Sequence, residues 1–234
     1  LDSGNTKSYP GTGTTWTDMI NAHSATMKSP VDYQSIFGGV MHFAGGSPHT
    51  DDGSDEYVTL PTSALPNGLG ATSTIEIWNY WDNASQPGGT WPDAWYGALF
   101  TNSAEADWSS GAGGDNGLIF GYNMIVRKNA SGSQINTSYS PQPATQTWHQ
   151  HVLTLNSGTG TVYVDKSQVM SASTFRTNYG QSNGTLGIGI ADTYSSKPRG
   201  EFDGYISIVR IYDKVLSTAE IKQNFDATKR RYGL

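Results

Sequence analysis

Residues 201–213 read EFDGYISIVRIYD, and this stretch predicts a strand that is buried on both faces. Side chains along a strand point alternately to its two sides, so a nearly continuous apolar run indicates burial on both sides. The alternation predicts two faces, with Tyr205, Val209 and Ile211 on one and Ile206, Ile208 and Tyr212 on the other. The stretch is therefore expected to be a mostly buried strand.

A short helix is predicted directly after this strand. Ser217 and Glu220 have the spacing of a capping box, and Leu216 can pack on Ile221 as a hydrophobic staple. Ile221 and Phe225 form a narrow apolar stripe, so the helix would dock lightly on a larger object. We expect that object to be a sheet.

The composition favours one all-β domain over the whole chain, residues 1–234. The 28 Gly, 13 Tyr and 7 Trp among 234 residues, with 35% apolar residues, are typical of many short strands joined by polar loops. The clearest local unit is a hairpin, with strands 148–155 and 161–164 around the turn 156–160. The other predicted strands are 57–60, 74–80, 97–100, 118–126, 185–191 and 204–212.

The charge distribution argues against one class of partner. Residues 29–126 contain eleven acidic residues and no Lys or Arg, which disfavours nucleic acid and favours cations or the basic face of another subunit. The chain has no cysteine, so disulfides and thiolate metal sites are excluded. It has no run of eighteen apolar residues, so no membrane partner is expected, and its first residues do not resemble a signal peptide.

Four segments together resemble one known family. They are Asp52-Gly53-Ser54-Asp55-Glu56-Tyr57-Val58, Thr74-Ile75-Glu76-Ile77-Trp78, Tyr163-Val164-Asp165 and Phe202-Asp203-Gly204-Tyr205-Ile206. In order and spacing they resemble the concanavalin A-like, laminin-G-like jelly rolls, over roughly residues 40–234. The resemblance implies an antiparallel β-sandwich jelly roll, here with a short C-terminal helix, and commonly a glycan-binding or adhesive role.

The opening of the chain suggests a location. Residues 1–18 are similar to segments that begin such domains in bacteriophage virion proteins, which implies an extracellular position on the virion surface. The expected function is a non-catalytic, lectin-like module that binds a surface polysaccharide. The alternative is a decoration or cement protein that contacts other virion subunits, and a homo-oligomer is compatible with either role.

Two long polar segments, residues 81–96 and 102–116, hold the predicted contact residues. Flat aromatic rings can stack on sugar faces, and carboxylate and amide groups can bond sugar hydroxyls. The predicted set is Trp81, Trp91, Trp95, Tyr96 and Trp108 for stacking, and Asp82, Asn83, Asp93 and Asn102 for hydrogen bonds. The alternative is that these rings pack on one another or on a neighbouring protein. Trp16, Trp78 and Trp148 are expected in the core.

A structural Ca²⁺ ion is the expected cofactor. Calcium prefers six to eight oxygen ligands, and loops of a sandwich can bring carboxylates together to supply them. The predicted ligands are Asp51, Asp52, Asp55 and Asp203. The chain departs from the family pattern at Lys166, where a glycine commonly follows Asp165. The alternative is that these acids only solvate a turn.

Catalysis is not expected, and a polysaccharide-cleaving enzyme is kept as an alternative function. Laminarinase-type glycosidases, which the family resemblance includes, place their catalytic acids on alternate residues of one strand. The near misses are Glu201 with Asp203 and Glu105 with Asp107, which each lack a third acid. His149 and His151 share a strand face with two leucines, so a structural pair is favoured over a metal ligand or a catalytic base.

Overall fold

The computed structural model describes residues 1–29, 31–45, 56–65, 68–85, 97–102, 117–129, 131–179, 186–191 and 201–234. The described residues form two antiparallel sheets, whose strands are numbered in chain order. One sheet has eight strands, in the spatial order β1 (Thr15–Thr17), β2 (Ser24–Lys28), β5 (Tyr57–Leu60), β14 (Leu186–Ile188), β7 (Ala98–Thr101), β8 (Leu118–Gly121), β9 (Met124–Lys128) and β10 (Gln134–Ser138). The other has seven, in the order β13 (Ser167–Ala172), β12 (Thr159–Val164), β11 (Trp148–Asn156), β6 (Thr72–Trp81), β15 (Asp203–Tyr212), β4 (Val40–Ala44) and β3 (Asp32–Gln34).

The main apolar core lies between the two sheets. Ile75 and Ile77 of β6 face this core, where they belong to one buried cluster with Phe100 and Phe120 of the eight-stranded sheet. All four side chains are fully buried. Burial of one face of each sheet against the other is the physical basis of a sandwich. The predicted all-β antiparallel sandwich with a short C-terminal helix is therefore confirmed.

The C-terminal helix, α1 (Thr218–Thr228), begins at the predicted capping box. Ser217 Oγ accepts a hydrogen bond from Glu220 N, and the Glu220 carboxylate accepts one from Ser217 N at 2.8 Å. Leu216 and Ile221 are buried in one cluster, as the staple requires. Within the described ranges, every helix is too short or too polar to cross a bilayer.

The helix packs on the outer face of the seven-stranded sheet, which is the side turned away from the eight-stranded sheet. Phe225 of α1 stacks on Trp78 of β6 with ring centroids 5.6 Å apart. The 3₁₀ segment Lys229–Tyr232 follows α1 and brings Tyr232 to 4.8 Å from the same Trp78 ring. Trp78 and Trp148 are buried on this face, and Trp16 is buried in the main core, as expected.

The hairpin of β11 and β12 is confirmed, with a tighter turn than predicted. The strands pair as far as Asn156 and Thr159, so only Ser157 and Gly158 connect them. Both residues have positive φ, 46° and 89°. A two-residue turn of this kind matches the right-handed twist of the paired strands, which explains why pairing extends into the predicted loop.

The predicted faces of β15 are partly wrong because the strand contains a β-bulge. The pairing of β15 with β6 shifts between Ile206 and Ile208. The extra residue reverses the alternation beyond it, so Val209 turns to the core with Ile206. Tyr205 and Ile208 lie together on the outer face.

Candidate functional site

A row of ring-bearing side chains crosses the outer face of the seven-stranded sheet. Cross-strand pairing places Asp32 opposite His42, His42 opposite Tyr205, Tyr205 opposite Tyr80, and Tyr80 opposite Trp148. Residues directly opposite one another in antiparallel strands project from the same face. We call His42, Tyr205, Tyr80 and Trp148 the aromatic row.

Neighbouring rings of the aromatic row are in contact distance. The ring centroids are 4.8 Å apart for His42 and Tyr205, 5.7 Å for Tyr205 and Tyr80, and 5.9 Å for Tyr80 and Trp148. Aromatic pairs favour separations in this range. The row is therefore a continuous surface that the backbone of four strands holds in place.

The two ends of the aromatic row differ in exposure. Trp148 is only 3% exposed, because Tyr232 stacks on it and Phe37 contacts its ring at 5.6 Å. Tyr80, Tyr205 and His42 are half-buried, so part of each ring reaches the surface. Phe37 itself is 43% exposed and extends the apolar surface past Trp148.

A buried carboxylate anchors the helix whose end sets this boundary. Glu76 is fully buried on the outer face, where Oε1 accepts a hydrogen bond from Arg210 at 2.7 Å. Asn224 of α1 donates to Glu76 Oε2 at 2.8 Å. Five side chains in the described part of the chain donate to this carboxylate, namely Trp78, Gln150, Arg210, Tyr212 and Asn224. Glu76 thus holds α1 to the sheet and has no surface to offer a substrate.

Acidic side chains border the exposed part of the aromatic row. Asp82 follows Tyr80 by two residues and Asp203 precedes Tyr205 by two, and Asp82 N donates to Asp203 O at 3.0 Å. Burial raises the pKa of the Asp203 carboxyl, and the nearby charge of Asp82 raises it further, while His42 opposes both effects. The two carboxylates therefore act on one another at the edge of the row.

Two more carboxylates lie at the His42 end. Asp32 is exposed and faces His42 across β3 and β4. Glu56 Oε2 accepts a hydrogen bond from Ala44 N at 2.6 Å. Burial raises the pKa of Glu56 and the charge of Asp32 raises it too, whereas the bond from Ala44 and the nearby His42 lower it.

Two of the predicted contact residues are buried. Trp81 is 3% exposed, its ring packs on Tyr122 and Phe202, and its indole N–H donates to Ser85 O at 2.8 Å. Trp81 ends β6 and points into the core, because the alternation of the strand places it opposite to Tyr80. The expectation that this ring lies on an exposed loop surface is corrected.

Asn102 is likewise 3% exposed. Its Oδ1 accepts a hydrogen bond from Leu118 N at 2.7 Å, and its Nδ2 donates to Tyr179 O at 3.3 Å. These bonds tie the end of β7 to its neighbours, so both ends of the amide are engaged within the protein. The Asn102 side chain, like that of Trp81, does not reach the surface. The expectation that Asn102 bonds a sugar hydroxyl is therefore corrected.

The remaining predicted contact residues divide into two groups. Asp82 and Asn83 are exposed immediately after β6, and Asp82 borders the aromatic row, where its charge acts on Tyr205. The others lie outside the described residues, so their contact role stays a prediction, and they are Trp91, Asp93, Trp95, Tyr96 and Trp108.

The structure describes one of the four predicted calcium ligands. Asp203 is half-buried at the start of β15, beside one other carboxylate, Asp82. Asp51, Asp52 and Asp55 lie outside the described residues. Among the described residues, no three His, Cys, Asp or Glu side chains form a group that could hold a metal ion. The calcium site stays a prediction that depends on the loop before Glu56.

The histidine pair is structural, as favoured above. His151 is fully buried, where Asn79 Nδ2 lies 2.9 Å from Nδ1 and Nε2 lies 2.8 Å from Tyr122 O. Burial lowers the pKa of His151 to about 3. His149 Nδ1 lies 2.6 Å from Asp165 Oδ2. Both rings satisfy polar groups on the core side of β11.

The aromatic row was not predicted from the sequence, although two short patterns pointed to it. In Asp203-Gly204-Tyr205 an acid and an aromatic residue lie on the same face of β15, and in Tyr80-Trp81-Asp82 the acid comes directly after the last residue of β6. The two patterns are more than a hundred residues apart, and the register of β6 with β15 brings them side by side.

Comparisons with known proteins agree with this architecture. A family model described as the concanavalin A-like lectin/glucanases superfamily, laminin-G type, matches residues 52–222. No curated protein sequence matches the chain. Domain 4 of AbnA, an extracellular GH43 arabinanase from Geobacillus stearothermophilus solved with arabinotriose, is similar in structure with a TM-score of 0.60 and 14% identity. That match covers 88% of this chain and 91% of the arabinanase domain.

Binding domains of botulinum neurotoxins are also similar in structure. The binding domain of neurotoxin DC, solved in complex with rat synaptotagmin II, matches with a TM-score of 0.62 and 14% identity over 93% of this chain. A structure of neurotoxin type C, whose cell entry depends on two ganglioside molecules, matches with a TM-score of 0.58, 14% identity and the same coverage. The chain spans about half the length of these toxin chains. At such identities the likeness shows the fold alone.

Proposed function

Because the chain belongs to the concanavalin A-like lectin/glucanase superfamily, we propose that it is a non-catalytic recognition module that binds a carbohydrate on the aromatic row. The observation that carries this proposal is the in-register line of half-buried rings, Tyr80, Tyr205 and His42, on a rigid sheet. Rings held in this way lose little conformational entropy on binding. Asp82 and Asp32 beside them supply acceptors for sugar hydroxyls.

The similar proteins support the same class of function. The arabinanase domain was solved with arabinotriose, and the type C toxin interacts with gangliosides. Both facts concern those proteins, and the present proposal rests on the side chains of this chain. A location on a virion surface stays a proposal, which rests on the resemblance described above between residues 1–18 and the segments that begin such domains in bacteriophage virion proteins.

Binding to a glycan array, followed by calorimetry with the best ligand, tests the proposal. Tyr205→Ala and Tyr80→Ala should each weaken binding about tenfold or more, because each removes a stacking surface. Tyr205→Phe keeps the ring and should bind within a few-fold of the wild type. Tyr163→Ala is the matched control, since Tyr163 is a partly buried tyrosine on the same sheet face at the other end of α1.

The outcome also separates the alternative sites. If Tyr205→Ala and Tyr80→Ala bind normally while Trp91→Ala or Trp95→Ala abolishes binding, the site lies on the loops and the aromatic row is not the binding surface. If no glycan binds, the carbohydrate proposal is overturned. Release of reducing sugar from a bound polysaccharide would contradict the non-catalytic assignment.

One observation favours protein contact as a second function. Ile36 and Phe37, next to the buried end of the aromatic row, are 45% and 43% exposed. Exposed apolar side chains beside aromatic rings are typical of protein interfaces. A decoration or cement role on a virion would bury these two residues against another subunit or a second copy of the chain. Loss of assembly in Phe37→Ala, with glycan binding unchanged, would support that role.

The predicted Ca²⁺ ion is a separate proposal with its own test. An ion that binds the folded state alone raises the melting temperature. We expect melting in calcium to exceed melting in a chelator, and we expect Asp203→Asn to reduce the difference. Equal melting temperatures in the two conditions would exclude a structural ion.

A further inference from the structure

The exposed rings of the aromatic row lie among carboxylates on several sides. Asp82 and Asp203 border Tyr80 and Tyr205, and Asp32 and Glu56 lie at the His42 end. We call Asp32, Glu56, Asp82 and Asp203 the acidic rim. The rim comes from four separate segments of the chain, which the sheet register and the hydrogen bond from Ala44 N to Glu56 bring together.

Nearby cations in the described part of the chain are engaged elsewhere. Arg210 pairs with Glu76 at 2.7 Å on the far side of Trp78, and Arg231 pairs with Asp2 at 2.7 Å. The stretch that supplies β3, β4 and β6 contributes none, because residues 29–126 contain no Lys or Arg. His42 is the one basic side chain in the row.

The ionisation of groups in the row reflects this negative field. Burial raises the pKa of the Tyr205 hydroxyl, and the charge of Asp82 raises it further, with smaller contributions from Tyr80 and Asp32. Asp203 and Glu56 have raised pKa values as well, with burial as the leading cause in both. A field that opposes a further negative charge on these groups favours a positive charge on a ligand placed over them.

We propose that the aromatic row selects carbohydrates that carry a protonated amine, such as glucosamine units, over neutral and anionic sugars. The inference rests on the proposed carbohydrate function and names its substrate class. An ammonium group beside Tyr80 and Tyr205 would gain a cation–π contact and charge-assisted hydrogen bonds to Asp82 and Asp32. A uronate or sialate carboxylate would instead meet the acidic rim with the same sign of charge.

A matched pair of oligosaccharides tests the inference by calorimetry. Tetramers of β-1,4-linked glucosamine and of N-acetylglucosamine share one backbone, and only the glucosamine tetramer has amines, which are protonated at mildly acidic pH, where the N-acetylglucosamine tetramer has neutral amides. The glucosamine tetramer should bind about tenfold more tightly or better, and its affinity should fall as salt increases. A tetramer of galacturonic acid should bind more weakly than either.

Variants of the rim separate specific binding from general attraction to an acidic protein. Asp82→Asn and Asp32→Asn should each weaken glucosamine binding about two- to five-fold, as expected for exposed charge pairs. Each should weaken N-acetylglucosamine binding by less, because asparagine keeps one oxygen that accepts a hydrogen bond from a sugar hydroxyl. Asp213→Asn is the control, because Asp213 is exposed just past the distal end of β15. Tyr205→Ala should weaken the binding of both tetramers about tenfold or more.

The outcomes distinguish this inference from the proposed function. If N-acetylglucosamine or galacturonic acid binds as tightly as glucosamine, and Tyr205→Ala removes that binding, the charge selectivity is wrong and the carbohydrate site stands. If the glucosamine tetramer binds Tyr205→Ala as tightly as it binds the wild type, the attraction is nonspecific and the inference is overturned. If no sugar binds, both fall. A lysine-rich peptide that binds the row while sugars do not would show that the occupant is a protein.

Discussion

The ring of Tyr232 stacks on the ring of Trp148 with centroids 4.2 Å apart and planes inclined by 23°. Tyr232 belongs to the 3₁₀ segment that follows α1, whereas Trp148 is the first residue of β11. The contact buries one end of the aromatic row and leaves Tyr80, Tyr205 and His42 at the surface. The end of the chain therefore sets the boundary between the core under the helix and the candidate binding surface.

Tyr232→Ala should destabilise the fold by about 3 kcal/mol, the typical cost of removing a buried aromatic ring. The substitution removes the stack on Trp148 and a second one on Trp78. Urea unfolding followed by tryptophan fluorescence measures the free energy of unfolding. Tyr232→Phe is the control and should cost less than about 1 kcal/mol, since both stacks remain. Equal losses in the two variants would contradict a stacking role.

Glu76→Gln should destabilise the fold by about 2–4 kcal/mol. The carboxylate is fully buried and accepts five hydrogen bonds, and an amide would turn its NH₂ group toward donors such as Asn224 and Tyr212. Arg210→Gln should cost less, because the Arg210 side chain is 35% exposed and the amide can still donate. A larger loss for Arg210→Gln than for Glu76→Gln would show that the charge pair, and not the buried carboxylate, anchors α1.

Gly204→Ala should destabilise the fold by about 2–5 kcal/mol. Gly204 has a φ of 142°, and a Cβ there would overlap Tyr80 O and lie 2.9 Å from Asp82 N. The clash would part β15 from β6 between Tyr205 and Tyr80. Gly132→Ala is the control, because Gly132 also has positive φ but has open space where the alanine Cβ would lie, so only about 1 kcal/mol is expected. The melting temperatures of the two variants separate the two causes. A much larger decrease for Gly204→Ala indicates steric overlap, whereas equal decreases would mean that backbone strain alone accounts for the loss.

The sequence correctly predicted those parts of the fold that are determined by residues close together in the chain. The capping box at Ser217 and the hairpin at Ser157 are of this kind, and both are confirmed. The short strands β1 to β4, β10 and β13 were missed, because three to six residues of mixed polarity show little periodicity. The predicted strand 118–126 is two strands with a turn at Tyr122, since a nearly continuous apolar run conceals a turn.

The candidate site could not be predicted from local sequence patterns, for a different reason. Tyr80, Tyr205 and His42 lie on three strands that are distant in sequence, and only the register joins them. The bulge after Ile206 also moves the later residues of β15 to the face opposite to the predicted one. Trp81 was predicted to bind a ligand because tryptophans before a long polar segment are typical of binding loops. The strand β6 ends one residue later than predicted, so Trp81 is part of the strand and its ring points into the core.

Stability should fall as pH decreases below about 6.5, in part because of His151. Burial lowers the pKa of this histidine to about 3 in the folded protein, so its ring stays neutral there while the unfolded chain takes up a proton. The unfolded state then binds more protons between about pH 6.5 and pH 3, and this one site lowers the free energy of unfolding by about 1.4 kcal/mol per pH unit. His151→Gln can keep the bonds to Asn79 and Tyr122 O without titrating. Urea unfolding at a series of pH values should therefore give a shallower slope for the variant, and parallel slopes would mean that His151 does not contribute to the acid sensitivity.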